Sequence, residues 1–243
     1  MTQVGIGSRK PFLAGGGLSS PPVVFGSGTV VIFDTGWGWM WQVPPGVVLI
    51  QAEGWGRGGD GGSGNAVIGG GGGGGGAYSR AVLAVVPGEW LSFLFGYPGG
   101  GAIDTWLMRG PTVLMQALRG GDVTWPLGQE EGALGGAAAG GVGDVRFSGG
   151  KGSAFAGDLG GGGGSSAGTA ANGVDAVNEA GALAVPGGGR GGRGGSSGVL
   201  CETQFADELL TPSFPGGGGG GTWKLGPWGF PGLGDGGRIK VTY

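Results

Sequence analysis

A run of eight glycines, residues 69–76, sits in a chain in which 72 of 243 residues are glycine. Glycine loses more conformational freedom on folding than any other residue. Fixing one backbone costs about 1–2 kcal/mol, so ordering all of them costs on the order of 70–140 kcal/mol with no side chain buried in return. The backbone itself must offset that cost, because buried N–H and C=O groups have to be hydrogen-bonded. Without a Cβ, extended polyproline-II-like segments can pack axis against axis at a spacing other residues forbid. They can then bond laterally, through N–H···O=C and weak Cα–H···O contacts. A stack of polyglycine-II helices is the expected solution, and a flexible glycine linker the alternative. Collagen is excluded, since an unbroken run destroys any Gly-X-Y register. Disorder is excluded by the rest of the composition: 9 Trp, 10 Phe and only 12% charged residues reverse the pattern of disordered chains.

The chemistry of side chains is equally restrictive. There is no histidine and one cysteine, Cys201. These counts remove Ser-His-Asp and Cys-His nucleophile systems, His-based metal sites and any intramolecular disulfide. A net charge of −3 argues against a broad nucleic-acid or anionic-membrane footprint. Residues 1–10 hold no apolar core of signal-peptide length, and no window reaches 18 consecutive apolar residues. The expectation is a protein made in a cytoplasm, without cofactor or metal, that is not an enzyme. Apparent motifs fail on inspection. Ser148-Gly149-Gly150-Lys151-Gly152 imitates a phosphate loop, but Val145 stands where the first glycine belongs and Gly152 replaces the Ser/Thr for magnesium. Arg190-Gly191-Gly192-Arg193-Gly194-Gly195 resembles RNA-binding RGG segments, yet in an acidic chain it reads as a solvated loop. Glu130-Glu131 reads as surface.

Strand signals cluster in the first half. Residues 29–33 are β-branched and aromatic, 47–53 follow the Pro44-Pro45-Gly46 turn, and 78–86 and 90–97 flank Pro87-Gly88. In the last of these, Leu91, Phe93, Phe95 and Tyr97 share one face. Residues 105–109 and 112–119 form a further hairpin around Gly110-Pro111. From about 126 to 235 glycine dominates, interrupted by a short alternating stretch at 144–147 and by a helical turn or two at 201–210. The last strand, 238–243, puts Ile239, Val241 and Tyr243 on one face. It is expected to pair back with the earlier strands and bracket the glycine zone. The fold class is therefore all-β: a sheet or sandwich assembly with a stacked polyglycine-II layer and little or no α-helix. Residues 1–28 are too broken for regular elements and read as a docking arm, leaving 29–243 as the glycine-rich domain.

Trp37, Trp39 and Trp41 alternate along a strand and supply the apolar area that glycine cannot. Trp125, Trp223, Trp228 and Phe230 sit beside glycine or proline in loops, where exposed rings anchor interfaces. The two most side-chain-rich stretches between 120 and 221 are 124–132 and 199–215. Their aromatics, Trp125 and Phe205, join Trp223, Trp228 and Phe230 as receptor-contact candidates. The spacing of Phe205 with Cys201 and Leu209 also suits a small buried helical face.

The order of features resembles the glycine-rich domain of bacteriophage tail and tail-fibre proteins. The similarity rests on Val43-Pro44-Pro45-Gly46-Val47, Gln51-Ala52-Glu53-Gly54-Trp55-Gly56, the run at 69–76 with Ala77-Tyr78, and Val85-Val86-Pro87-Gly88. It continues at Gly143-Asp144-Val145-Arg146 and closes with Gly237-Arg238-Ile239-Lys240-Val241-Thr242-Tyr243. The resemblance covers about 210 residues and implies stacked polyglycine helices, a virion structural protein of the tail and attachment to the host surface by binding alone. Implied partners are other tail proteins, further copies of the chain, and a host receptor or glycan, with no nucleic acid and no membrane insertion. A capsid or tail decoration protein with a purely structural role is the alternative. Residues 1–28 have no counterpart in that pattern, and 199–215 interrupt its glycine zone.

Overall fold

The computed structural model describes residues 2–5, 28–34, 38–64, 69–98, 103–123, 131–155, 159–194, 215–222 and 232–243. Among these the chain is all-β, with ten strands and a single 3-10 turn at Ala138–Gly140. The strands are β1 (Thr2–Gly5), β2 (Thr29–Phe33), β3 (Gly38–Gln42), β4 (Leu49–Trp55), β5 (Tyr78–Ala84), β6 (Trp90–Leu94), β7 (Thr105–Arg109), β8 (Thr112–Ala117), β9 (Val145–Phe147) and β10 (Arg238–Thr242). They build a six-stranded sheet in the order β1-β2-β10-β4-β5-β9 and a four-stranded sheet in the order β3-β6-β7-β8. The pairings are antiparallel except β1 with β2. Residues 2–5, at the start of the stretch read from sequence as a broken arm, are thus an edge strand.

Alternation decides which side chains go inside. Val31 and Phe33 of β2, Ile239 and Val241 of β10, and Ile50 and Ala52 of β4 face Leu91, Phe93, Leu107 and Met115 of the second sheet in one apolar core. Phe33 lies 4.4 Å from Phe93 between ring centroids. Trp41 closes the core against Phe93 and Tyr243, whereas Trp39, two residues back on the same face, is 37% exposed. The hairpin β7–β8 forms as its sequence predicts, and Gly110 at its turn has φ +55, a left-handed conformation that disfavours a Cβ. The C-terminal strand does pair back, lying between β2 and β4.

A second core contains almost no side chains. β4 runs on into residues 56–62, β8 into 118–123 and β9 into 148–153, while 69–77 lead into β5 and 232–237 into β10. Beyond the sheets these continuations bond to one another and to further extended segments. The amides of Gly70, Gly73 and Gly76 donate to the carbonyls of Thr222, Gly219 and Gly216; those of Gly72 and Gly75 to Ser153 and Gly150; those of Gly74 and Ala77 to Gly121 and Leu118. Its carbonyls accept from three other segments: Gly71, Gly74 and Ala77 from Gly62, Gly59 and Gly56; Gly72 and Gly75 from Ala133 and Gly136; Gly70, Gly73 and Gly76 from Gly161, Gly164 and Ala167. Each series advances by three residues, and the N···O distances lie between 2.6 and 3.0 Å.

Segment 69–77 therefore has six hydrogen-bonded neighbours. Those neighbours also bond to each other around it, as in Gly120 N–H to Arg57, Gly149 to Gly136, Gly150 to Ser165, Gly218 to Gly164 and Gly219 to Gly59. The cross-section is hexagonal. Residues 160–168 are surrounded in the same way, by the segments holding Gly70, Gly150, Val174, Ala182, Gly192 and Gly218. Both segments are buried along their whole length. Trp55, Tyr78 and Ala167, flanked by Val145 and Phe147, join this array to the sheet end.

Candidate functional site

The array has two ends. One abuts the sheets, where Gly56, Ala77, Leu118 and Gly216 meet. At the other, Gly62, Gly70, Val123, Ser153, Gly161 and Thr222 come together. There, Thr222 is buried; its hydroxyl accepts from the Gly64 amide at 3.2 Å and its carbonyl from Gly70. The described residues flanking 65–68, 124–130, 156–158 and 223–231 all stand at this far end. The two surrounded segments, 69–77 and 160–168, hold nothing larger than serine.

Trp125, Phe205, Trp223, Trp228 and Phe230, the five receptor-contact candidates of the sequence, lie outside the described residues, as do Trp37, Cys201 and the helical turn expected at 201–210. Val123 and Glu131 bracket Trp125. Thr222 and Gly232 bracket the other three loop aromatics. For Phe205 the flanks are Gly194, at the far end, and Pro215, beside the sheet end. The Arg190–Arg193 stretch is not a solvated loop: Gly191 and Gly192 donate to Ala182 and Gly218, so it forms an array segment. The glycines around Lys151 likewise spend their amides on lateral bonds, leaving no phosphate cradle. Glu131 is exposed.

Sequence reasoning missed the array's charged pin. Arg57 is 2% exposed, and its guanidinium pairs with Asp60 and, at 3.4 Å, with Asp122. Asp122 also accepts the Asp60 amide at 2.9 Å and Arg119 Nη1 at 2.7 Å, while Asp60 accepts the Gly234 amide at 2.8 Å. The residue pairs 57/60 and 119/122 are each three apart, the repeat of the array, so charges on adjacent segments meet in only one register. Polyglycine alone meets equivalent bonding partners again after a slide of three residues. The i,i+3 spacing of opposite charges within glycine tracts was the available signal.

Near the sheet end, burial pushes Asp235 up to about 6, opposed by the Gly236 amide and by Arg238. On β4, Glu53 is buried; it accepts the Tyr78 hydroxyl at 2.8 Å and pairs with Lys240 at 2.7 Å. Burial, then Glu53, raise the Tyr78 phenol far above its ordinary value. Among the described residues no three His, Cys, Asp or Glu side chains are grouped to hold a metal ion, and no helix is long and apolar enough to cross a membrane. Compared with known proteins, the sequence matches no family model and no curated protein.

Proposed function

We propose that this protein is a structural component of a bacteriophage tail, a fibre or adhesin part that attaches to the host surface by binding without bond-breaking. The three-residue bonding period supports reading the array segments as polyglycine-II helices, since that helix has three residues per turn and a rise of about 3.1 Å. The observation that carries the functional reading is where the described flanks of the connections stand. A rigid backbone array grows from the ends of the strands, and both flanks of four connections stand at its far end, two of these connections holding loop aromatics. Loops on a rigid scaffold are where binding groups sit. The array itself offers little but backbone to a receptor, so specificity falls to Trp125, Trp223, Trp228 and Phe230, with Phe205 in the longer connection. The resemblance of the sequence motifs to those of phage tail proteins supports the same reading, in which the protein works in the virion beside other tail proteins and copies of itself.

The test is a set of phages carrying Trp125→Ala, or residues 223–230 or 199–214 replaced by short glycine-serine links. They should assemble and adsorb poorly, an aromatic anchor at an interface centre being worth about 2 kcal/mol or more, roughly thirtyfold in affinity. Normal adsorption by all of them overturns attachment and leaves the purely structural alternative, a capsid or tail decoration protein.

A further inference from the structure

We propose that the outer row of the glycine array is closed against addition of another glycine segment, and that Asn172 and Asp175 close it. The inference holds whether or not the protein serves host attachment. A surrounded segment donates in three directions and accepts from three, as 69–77 does. Segment 148–153 lies on the outside. Gly149 and Gly152 donate to Gly136 and Ala133, and Gly150 and Ser153 donate to Ser165 and Gly162. The third class of amide, Ser148 and Lys151, has no backbone acceptor. Instead Asn172 Oδ1 accepts from Ser148 at 2.9 Å and Asp175 Oδ1 from Lys151 at 2.7 Å.

Both side chains come from a neighbouring segment whose backbone is already engaged, since Gly173 and Ala176 donate to Ser148 and Lys151. The sequence there is Asn172-Gly173-Val174-Asp175-Ala176-Val177-Asn178, a three-residue repeat of Asx, small residue and valine. The small residues Gly173 and Ala176 are the less exposed ones, Asn172 and Asp175 cap the adjacent segment, and the valines face out, with Val174 46% and Val177 69% exposed. On the other flank of 148–153, Leu134 is 70% exposed and lies three residues from Glu131, which is also exposed. Bulk guards both flanks and side-chain acceptors guard the centre. The occupant excluded is an extended glycine segment from a second copy of this chain, whose carbonyls would otherwise take the Ser148 and Lys151 amides. Sheet edges face the same hazard and are blunted by comparable devices.

The experiment uses the full chain and compares wild type with Asn172→Ala/Asp175→Ala and with Asp175→Asn, which keeps the acceptor. In wild type the Ser148 and Lys151 amides should exchange with solvent about as slowly as Gly150; in the double variant they should exchange roughly tenfold faster. Sedimentation should show the double variant associating beyond the wild-type state as concentration rises, with Asp175→Asn unchanged. If the double variant fails to fold, Asp175→Ala alone, which keeps the Asn172 cap, must give a smaller increase in association. Unprotected Ser148 and Lys151 amides in wild type, or wild-type sedimentation of a folded uncapped variant, overturn the proposal.

Discussion

Replacing Gly75 by alanine tests whether backbone packing, rather than backbone flexibility, is what glycine supplies here. Gly75 lies in the middle of the surrounded segment. A Cβ there would overlap the Ser165 carbonyl oxygen and stand 2.7 Å from the Ser166 nitrogen, where carbon contacts need about 3.5–4.0 Å. No flexible side chain can yield, so the two segments must separate by about 1 Å. That movement takes the bonds between them, Gly161 to Gly70, Gly164 to Gly73 and Ala167 to Gly76, all 2.9 Å, out of hydrogen-bonding range. Three such bonds are worth about 1 kcal/mol each net, and the overpacking itself adds about 1–3 kcal/mol. Against this, alanine restricts the unfolded chain and returns about 0.4–1 kcal/mol. The packing terms win, and the expected loss is about 3–5 kcal/mol. For a chain of this size that lowers the melting temperature by about 10 °C. Scanning calorimetry and urea unfolding measure it, with Val177→Ala as the outward-facing control, expected within about 0.5 kcal/mol of wild type. A Gly75→Ala protein that melts within about 2 °C of wild type, or above it, refutes the surrounded lattice.

Three further outcomes follow from buried charges and hydroxyls. Asp235 has a folded-state pKa above its ordinary 3.8, so its stabilising contribution is complete below that value and is lost as pH rises through about 6. Asp235→Asn should therefore raise stability at pH 8 by up to about 3 kcal/mol and flatten the pH–stability curve between 4 and 7, measured by urea unfolding across pH. Arg57→Met leaves Asp60 and Asp122 without their buried partner and should cost about 3 kcal/mol; because Arg57 is 2% exposed, the loss should change little with added salt, and unfolding at two ionic strengths checks both. Tyr78→Phe strips Glu53 of a hydroxyl donor and should cost about 1–3 kcal/mol, while in wild type the Tyr78 phenol should remain un-ionised through pH 11, read by ultraviolet titration.

Much of the sheet was legible because strand signals are local. Alternation at Leu91, Phe93 and Phe95 predicts the buried face that forms, Gly110-Pro111 predicts the β7–β8 turn, and Ile239 and Val241 predict a final strand facing the core. The edge strand β1 was not legible: Thr2–Gly5 carries too little pattern to stand out, and its parallel pairing with β2 is fixed by a partner more than twenty residues away. The receptor-contact candidates are legible in the sequence as aromatics among glycines, and the structure adds where the residues flanking their connections stand. The charge pin and the Asx repeat are both written at three-residue spacing, a period that matches neither the roughly 3.6 residues of a helix nor the two of a strand.

The sequence by itself determined that ordered glycine would have to pack through its backbone, because 72 residues without side chains leave no other source of cohesion. Only the tertiary structure decided which glycine faces which. Every residue of 69–76 is chemically the same, so nothing local distinguishes Gly72, bonded to Ser153, from Gly73, bonded to Gly219. Register came instead from the ends: the strands that feed the array fix where each segment enters it, and Arg57, Asp60, Arg119 and Asp122 hold adjacent segments against slipping. A homopolymer tract carries no address of its own, and its place is set by the side chains at its borders.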